Sequence, residues 1–176
     1  MKILVAYFST TGNTEKVAKA IKEGITGHEV DLLDIKGADP SSIGPYDLAF
    51  IGSGLFAFNV SRKLTNFVKK LSLLPSKFVY FYTHENPHKG AYPDCFKSVN
   101  AIIEKQDCIV LGTYDCCGEN LVEKAKEQRE AMWSTLSLEE RKKSEESWLN
   151  SVKDHPDAQD LENAKSFARS IIEKLV

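Results

Sequence analysis

The stretch Ile3–Thr14 constrains this chain most. Ile3-Leu4-Val5-Ala6-Tyr7-Phe8 is an unbroken apolar run, the pattern of a strand covered on both faces. It passes straight into Ser9-Thr10-Thr11-Gly12-Asn13-Thr14, where a helix begins near Asn13. A strand that ends in hydroxyl residues at a helix start brings side-chain donors and the free N–H groups of a first helical turn to one place. Such a place suits a phosphate held by dipoles and hydrogen bonds. The loop contains no Lys or Arg, and Lys16 is the nearest cation. A plain capped turn is the simpler alternative, but a cap needs one hydroxyl residue and this loop carries Ser9, Thr10, Thr11 and Thr14. No G-x-x-x-x-G-K-[ST] run occurs, which disfavours phosphoryl transfer through that motif.

Further apolar runs alternate with helical stripes. Strands are expected at Ile3–Phe8, Val30–Asp34, Leu48–Gly52, Phe78–Thr83 and Cys108–Thr113. Between them Val17, Ile21 and Ile25, then Leu64, Phe67, Val68 and Leu71, then Phe96, Val99, Ile102 and Ile103 recur at helical spacing. A final helix over Asp160–Leu175 is apolar along Leu161, Ala164, Phe167, Ala168, Ile171, Ile172 and Leu175. Strand and helix in alternation predict βαβ units and an α/β doubly wound parallel sheet with helices on both faces, and five strands with this spacing fit the order 2-1-3-4-5. In that order ligands sit at the carboxyl ends of the strands, so the loops of interest are Ser9–Thr14, Ser53–Asn59, Thr83–Tyr92 and Tyr114–Asn120.

At 176 residues one domain over 1–176 suffices. A net charge of -2 gives no electrostatic case for nucleic acid. No apolar run approaches the roughly 18 residues needed to span a bilayer, and Met1-Lys2-Ile3 enters a strand without a signal peptide. A soluble, cytoplasmic protein is expected. Cys95, Cys108, Cys116 and Cys117 lack the spacing of a disulfide framework or a zinc site. Cys116-Cys117 is read as two small residues at a strand end, with a redox thiol pair as the alternative.

Ser9-Thr10-Thr11-Gly12-Asn13-Thr14 resembles the [ST]-x-T-G-N-T signature of flavodoxins, which grips the phosphate of FMN. Gly52-Ser53-Gly54-Leu55-Phe56 resembles the family's G-S-G-[aliphatic]-[aromatic] loop beside the isoalloxazine. Leu111–Gly118 resembles a G-x-[aromatic]-x-C-x-G strand end, and His155–Ala164 an H-P-[ND]-x-x-D-L-x-x-A entry to the last helix. Together these span nearly the whole chain. The resemblance implies a flavodoxin-like fold and an FMN site formed by Ser9, Thr10, Thr11, Gly12, Asn13 and Thr14 at the phosphate. Ser53, Gly54, Leu55, Phe56, Ala57, Phe58 and Asn59 would lie on one side of the ring, with Thr83, His84, Glu85, Asn86 and Tyr92 on the other. Any of Phe56, Phe58 and Tyr92 could stack on the ring. Asn59 is the residue there most tolerant of unusual dihedrals. Gly52–Ala57 also satisfies the dinucleotide pattern G-x-G-x-x-[GA], a weaker reading because a phosphate loop already opens the chain.

The loop Thr83–Tyr92 departs from the family pattern, carrying His84, His88, Glu85 and Pro87. No metal site is expected, since Pro87 and Gly90 mark a loop and no further ligands complete one. The histidines read as exposed loop residues, or as proton donors beside a flavin. The segment 119–154 is an insertion read as charged helices with Leu121, Val122, Ala125, Met132, Trp133, Leu136, Leu138, Trp148 and Leu149 as apolar members. A packed hairpin anchored by Trp133 and Trp148 is the simpler reading, and a lid or docking surface beside the flavin the other.

The first function expected is FMN-dependent electron transfer between a reductase and an acceptor protein, with no residue assigned a catalytic role. Alternatives are a flavin-dependent reductase acting on a quinone or other small organic acceptor, with His84, His88 and the Cys116-Cys117 thiols as candidate proton donors, and a non-catalytic scaffold. No interaction with nucleic acid and no membrane insertion are expected.

Overall fold

The computed structural model of the chain describes residues 1–86, 88–120 and 123–175. The apolar roles expected of Leu121, Val122 and Ala125, and the turn marker Pro87, lie outside what it describes.

Strands β1 (Lys2–Phe8), β2 (Glu29–Asp34), β3 (Leu48–Phe56), β5 (Lys77–His84) and β6 (Ile109–Cys117) pair in parallel in the order β2-β1-β3-β5-β6. All five expected strands are present in the expected spatial order. A sixth, β4 (Asn59–Val60), pairs antiparallel with the end of β3 and was not foreseen. β6 begins after Cys108 and runs on to Cys117, so most of the supposed loop from Tyr114 is strand.

Alternate residues of the central strands feed two cores. On one face Ile3, Val5, Phe50, Val79 and Phe81 pack against helices α1 (Asn13–Gly24) and α6 (Ala158–Glu173). On the other, Leu4, Ala6, Ile51, Tyr80 and Tyr82 meet α2 (Arg62–Lys70) and α3 (Lys97–Ile103). Within the second core Tyr80 and Phe96 stack in parallel, 3.9 Å apart. β1 and β3 are buried on both sides, which explains why their sequences do not alternate. Burial of both faces leaves the strand ends as the open edge of these two strands.

The insertion forms α4 (Glu123–Met132) and α5 (Leu138–Val152). Ser137 and Glu140 make a reciprocal capping box that starts α5, and Asp157 and Asp160 do the same for α6. Pro156 thus precedes the cap of α6 and is not its first helical residue. Among the described residues, no helix is long and apolar enough to cross a membrane.

α1 and α6 touch through Gly24, where a Cβ would collide with the backbone of Lys165. Gly24→Ala is therefore expected to destabilise the fold by about 1–3 kcal/mol despite alanine's better helix propensity. Urea denaturation checks this; equal or greater stability would show that the two helices can move apart freely.

Candidate functional site

The Ser9–Thr14 turn is not an ordinary capped helix start. Gly12 is the N-cap residue of α1, with φ 89°, a left-handed conformation that glycine takes without strain, and no side chain caps the helix. The loop side chains divide into two groups. Ser9 accepts the Gly12 N–H at 3.0 Å and shapes the turn, and Asn13 donates to the Glu119 carbonyl at 2.7 Å and ties the turn to the exit of β6. Thr14 is buried and its hydroxyl lies 2.9 Å from that of Thr83 at the end of β5. Thr10 and Thr11 are exposed, and their hydroxyls have no hydrogen-bond partner among the described residues. What faces outward is a set of donors: two hydroxyls and the amides of an uncapped first turn.

The loop after β3 is a hairpin. Leu55 pairs with Val60 and Phe56 with Asn59, leaving Ala57 and Phe58 as the turn, both left-handed with φ of 48° and 66°. Two such residues in succession fit the type I′ turn that suits strand twist. Each costs on the order of 1–2 kcal/mol in a residue bearing a Cβ. The unusual dihedrals thus fall on Ala57 and Phe58, and Asn59 instead donates from its amide to the Ala57 carbonyl at 2.9 Å. Ser53 is fully buried, donating to the Gly54 carbonyl and accepting from the Ser61 N–H, so its hydroxyl is committed to the hairpin's base. Gly54 lies against the Thr14 and Thr83 hydroxyls, each 3.8 Å from where its Cβ would stand. The first turn, the hairpin and the end of β5 therefore converge.

Above that junction Phe58, 73% exposed, stacks on Tyr92 with centroids 5.8 Å apart. Phe56 turns back toward Phe8, at 6.2 Å. Of the two phenylalanines it is Phe58 that meets Tyr92. The rings are in direct contact, so a planar ligand sandwiched between them requires the hairpin and the Tyr92 loop to part.

His84 is the clearest departure from expectation, since its side chain is only 2% exposed and belongs to β5. Its Nδ1 accepts the Asn86 N–H at 3.2 Å. A backbone amide can only donate, so the ring proton sits on Nε2 and is donated to Asp115 at 2.9 Å. The ring is enclosed by Tyr82 and Tyr92, at 5.4 and 5.5 Å. Both nitrogens are engaged, which removes His84 from the candidate proton donors. His88 is exposed, as expected of a loop residue.

Glu85 accepts from Arg129 of α4 at 2.9 Å and from the Asn120 amide at 2.7 Å. The Arg129 guanidinium lies 3.8 Å over the ring of Trp148 in α5. Trp148 thus anchors the inserted helices, but through an arginine that reaches the loop after β5. Of the apolar members expected in the insertion, Met132, Leu138 and Leu149 are exposed and Trp133 is half-buried. The cysteines are free thiols. Burial pushes Cys117 up to about 11, with Asp160 and Asp115 adding to the effect, and raises Cys116 further, so neither has the lowered pKa of a redox thiol.

Four contributors escaped the sequence reading as functional residues. Asp115 and Arg129 carry no local signal, because their partners are 31 and 44 residues away. His155 and Asp160 appeared only as the approach to α6. There His155 Nδ1 lies 2.5 Å from Asp160 Oδ2, and a His five residues before a helix-capping acid was the available hint.

Burial opposes ionisation of Asp115, but hydrogen bonds from His84 and the Gly90 N–H outweigh it and hold the carboxyl below its ordinary range. Its contribution is complete above the unfolded value of about 3.9 and is lost as pH falls through the lower folded value. Asp115→Asn should lower stability at neutral pH and flatten the acid side of the stability profile. Denaturation curves between about pH 3 and 7 test this; an unchanged profile would mean that the pair adds nothing.

The family model described as a flavodoxin domain matches residues 4–169. The flavodoxin-like domain-containing protein BilS of Clostridioides difficile (strain CD3) is 30% identical over 187 residues, covering 99% of this chain and 98% of that protein. An uncharacterized protein of Methanocaldococcus jannaschii is 27% identical over 174 residues, covering 98% and 99%. Among solved structures, a short-chain flavodoxin associated with a non-canonical PDU bacterial microcompartment superposes with a TM-score of 0.62 at 12% identity, over the full length of both chains. The chain belongs to the flavodoxin domain family.

Proposed function

We propose that this protein binds FMN and passes electrons between a reductase and an acceptor. The observation that carries the reading is the donor set at the first turn: an uncapped helix of 12 residues with the outward hydroxyls of Thr10 and Thr11 beside it. This set fits the phosphate of FMN, which needs several donors, and the acid of that first turn, Glu15, is paired with Lys19 at 2.6 Å. Asn13 and Ser9 would hold the loop in shape from behind, while Phe58 and Tyr92 would cover the ring. FMN, when bound, supplies the uptake and release of one or two electrons.

His84 has both ring nitrogens engaged, one with Asp115 and one with the Asn86 N–H, so its role is to order the loop. An exposed hairpin tip carrying Phe58 offers the apolar contact a redox partner protein would use. The free thiols accord with a cytoplasmic setting.

A reductase acting on a small organic acceptor is the second reading. It is favoured by the Arg129–Glu85 contact, which ties the inserted helices to the loop that would flank the ring.

Thr10→Ala and Thr11→Ala should each weaken FMN binding about 10-fold or more, the loss of one hydrogen bond to a charged group, with no loss of stability. Flavin fluorescence titration reads the affinity. Unchanged binding in both variants would move the phosphate elsewhere. Anaerobic reductive titration then separates the readings: accumulation of a one-electron-reduced species favours a carrier, and direct two-electron reduction favours a reductase.

A further inference from the structure

Between the loop after β5, the end of β6 and the start of α6 lies a cavity of about 170 Å³. A void of about 150 Å³ admits a benzene ring. No residue of the Ser9–Thr14 turn or of the β3–β4 hairpin lines it. It is a neighbour of the proposed flavin site, sharing His84 and Asn86 and adding residues from the inserted segment and α6.

The polar groups of its wall can be accounted for one by one. His84 has both nitrogens engaged, and the Cys117 thiol donates to the Asn86 carbonyl at 2.9 Å. Asp160 Oδ2 takes the His155 Nδ1–H and the Asp157 N–H, which offsets its charge. Ser151 donates its hydroxyl to the Trp148 carbonyl.

Three lining groups remain. Asn86 accepts the His88 N–H through Oδ1, which identifies the other amide atom as nitrogen and leaves its N–H bonds unused among the described residues. The Lys89 ammonium pairs with no carboxylate among the described residues. His155 spends Nδ1 on Asp160 and has Nε2 unpartnered among the described residues, at a ring only 29% exposed. The wall therefore offers one cation and one amide donor, beside an imidazole ring whose Nδ1–H is given to Asp160 and whose Nε2 is thereby left an acceptor.

We propose that this cavity binds a small organic carboxylate, with Lys89 and Asn86 holding the anion and the His155 ring, oriented by Asp160, forming the wall against the ligand's apolar body. The placement of donors selects an acceptor ligand, the lysine selects its charge, and the volume limits it to about one ring with a carboxylate. A metal ion is the poorer occupant. His155, Asp157 and Asp160 do bring ligand atoms within 4.8 Å of one another, but the capping box of α6 and the imidazole already use those atoms. The proposal goes beyond the flavin reading and does not depend on it.

Benzoate is the probe, with benzamide as its uncharged counterpart. Titration of the full chain, with and without added FMN, is followed by the NMR signals of the His155 ring and by calorimetry. Saturable shifts of those signals are expected, with benzoate preferred at least 5-fold, and with affinity lost at least 10-fold in Lys89→Met and largely restored in Lys89→Arg. His155→Ala, which removes the ring from the wall, should weaken benzoate while leaving FMN affinity unchanged. Equal binding of benzamide, an unaltered Lys89→Met variant, or silence of the His155 signals would each overturn the proposal. FMN uptake measured on the same samples keeps the two readings apart, since protein that takes FMN but ignores benzoate loses only the cavity assignment.

Discussion

The burial of β1 and β3 on both faces is the constraint on which the rest depends. Ile3, Val5, Leu48 and Phe50 point into one core and Leu4, Ala6, Ala49 and Ile51 into the other, all nearly inaccessible to water. Two parallel strands so enclosed leave no polar face along their length. Their backbone groups are satisfied by the ladder until the strands end, and there the chain must turn through residues that can meet water or a ligand. Ser9–Thr14 and the Ala57–Phe58 turn are those exits, and strand register places them side by side, Phe8 opposite Ser53. The junction of Thr14, Gly54 and Thr83 is thus a consequence of sheet pairing.

That junction is rigid beneath and strained above. Below, buried hydroxyls bond one another and Ser53 closes the hairpin's base on Ser61. Above, two residues with side chains hold left-handed dihedrals at an exposed tip whose ring rests on Tyr92. Strain at an exposed turn persists only where surrounding structure enforces it. Here the base is fixed, and the tip is where movement costs least.

The two buried or half-buried histidines show how hydrogen bonding divides roles among like residues. His84 is locked by a backbone amide on one nitrogen and a carboxylate on the other, which makes it a structural pin for the loop after β5. His155 has its carboxylate but no second partner among the described residues, so its outer nitrogen is left an acceptor. Arg129 joins these regions by spanning from Trp148 to Glu85. The insertion thereby becomes a neighbour of the site, beyond what completion of the fold requires.

Local patterns carry the parts of this protein that depend on nearest neighbours. The apolar runs and the helical stripes made the five parallel strands legible from residues alone, and their spacing fitted the observed order. The carboxyl-end rule indicated which loops would gather. Partnerships across long separations were not legible. Nothing near His84 announces Asp115, nothing near Glu85 announces Arg129, and Ala57-Phe58 gives no sign of the left-handed turn it adopts, since neither residue favours one. The sequence by itself determined the alternation of elements and the hydroxyl-rich turn after the first strand, because periodicity and turn chemistry act over a few residues. Only the tertiary structure decided which histidine is pinned and which is free, which phenylalanine meets Tyr92, and that a cavity opens under the insertion, because packing alone sets contacts between distant segments.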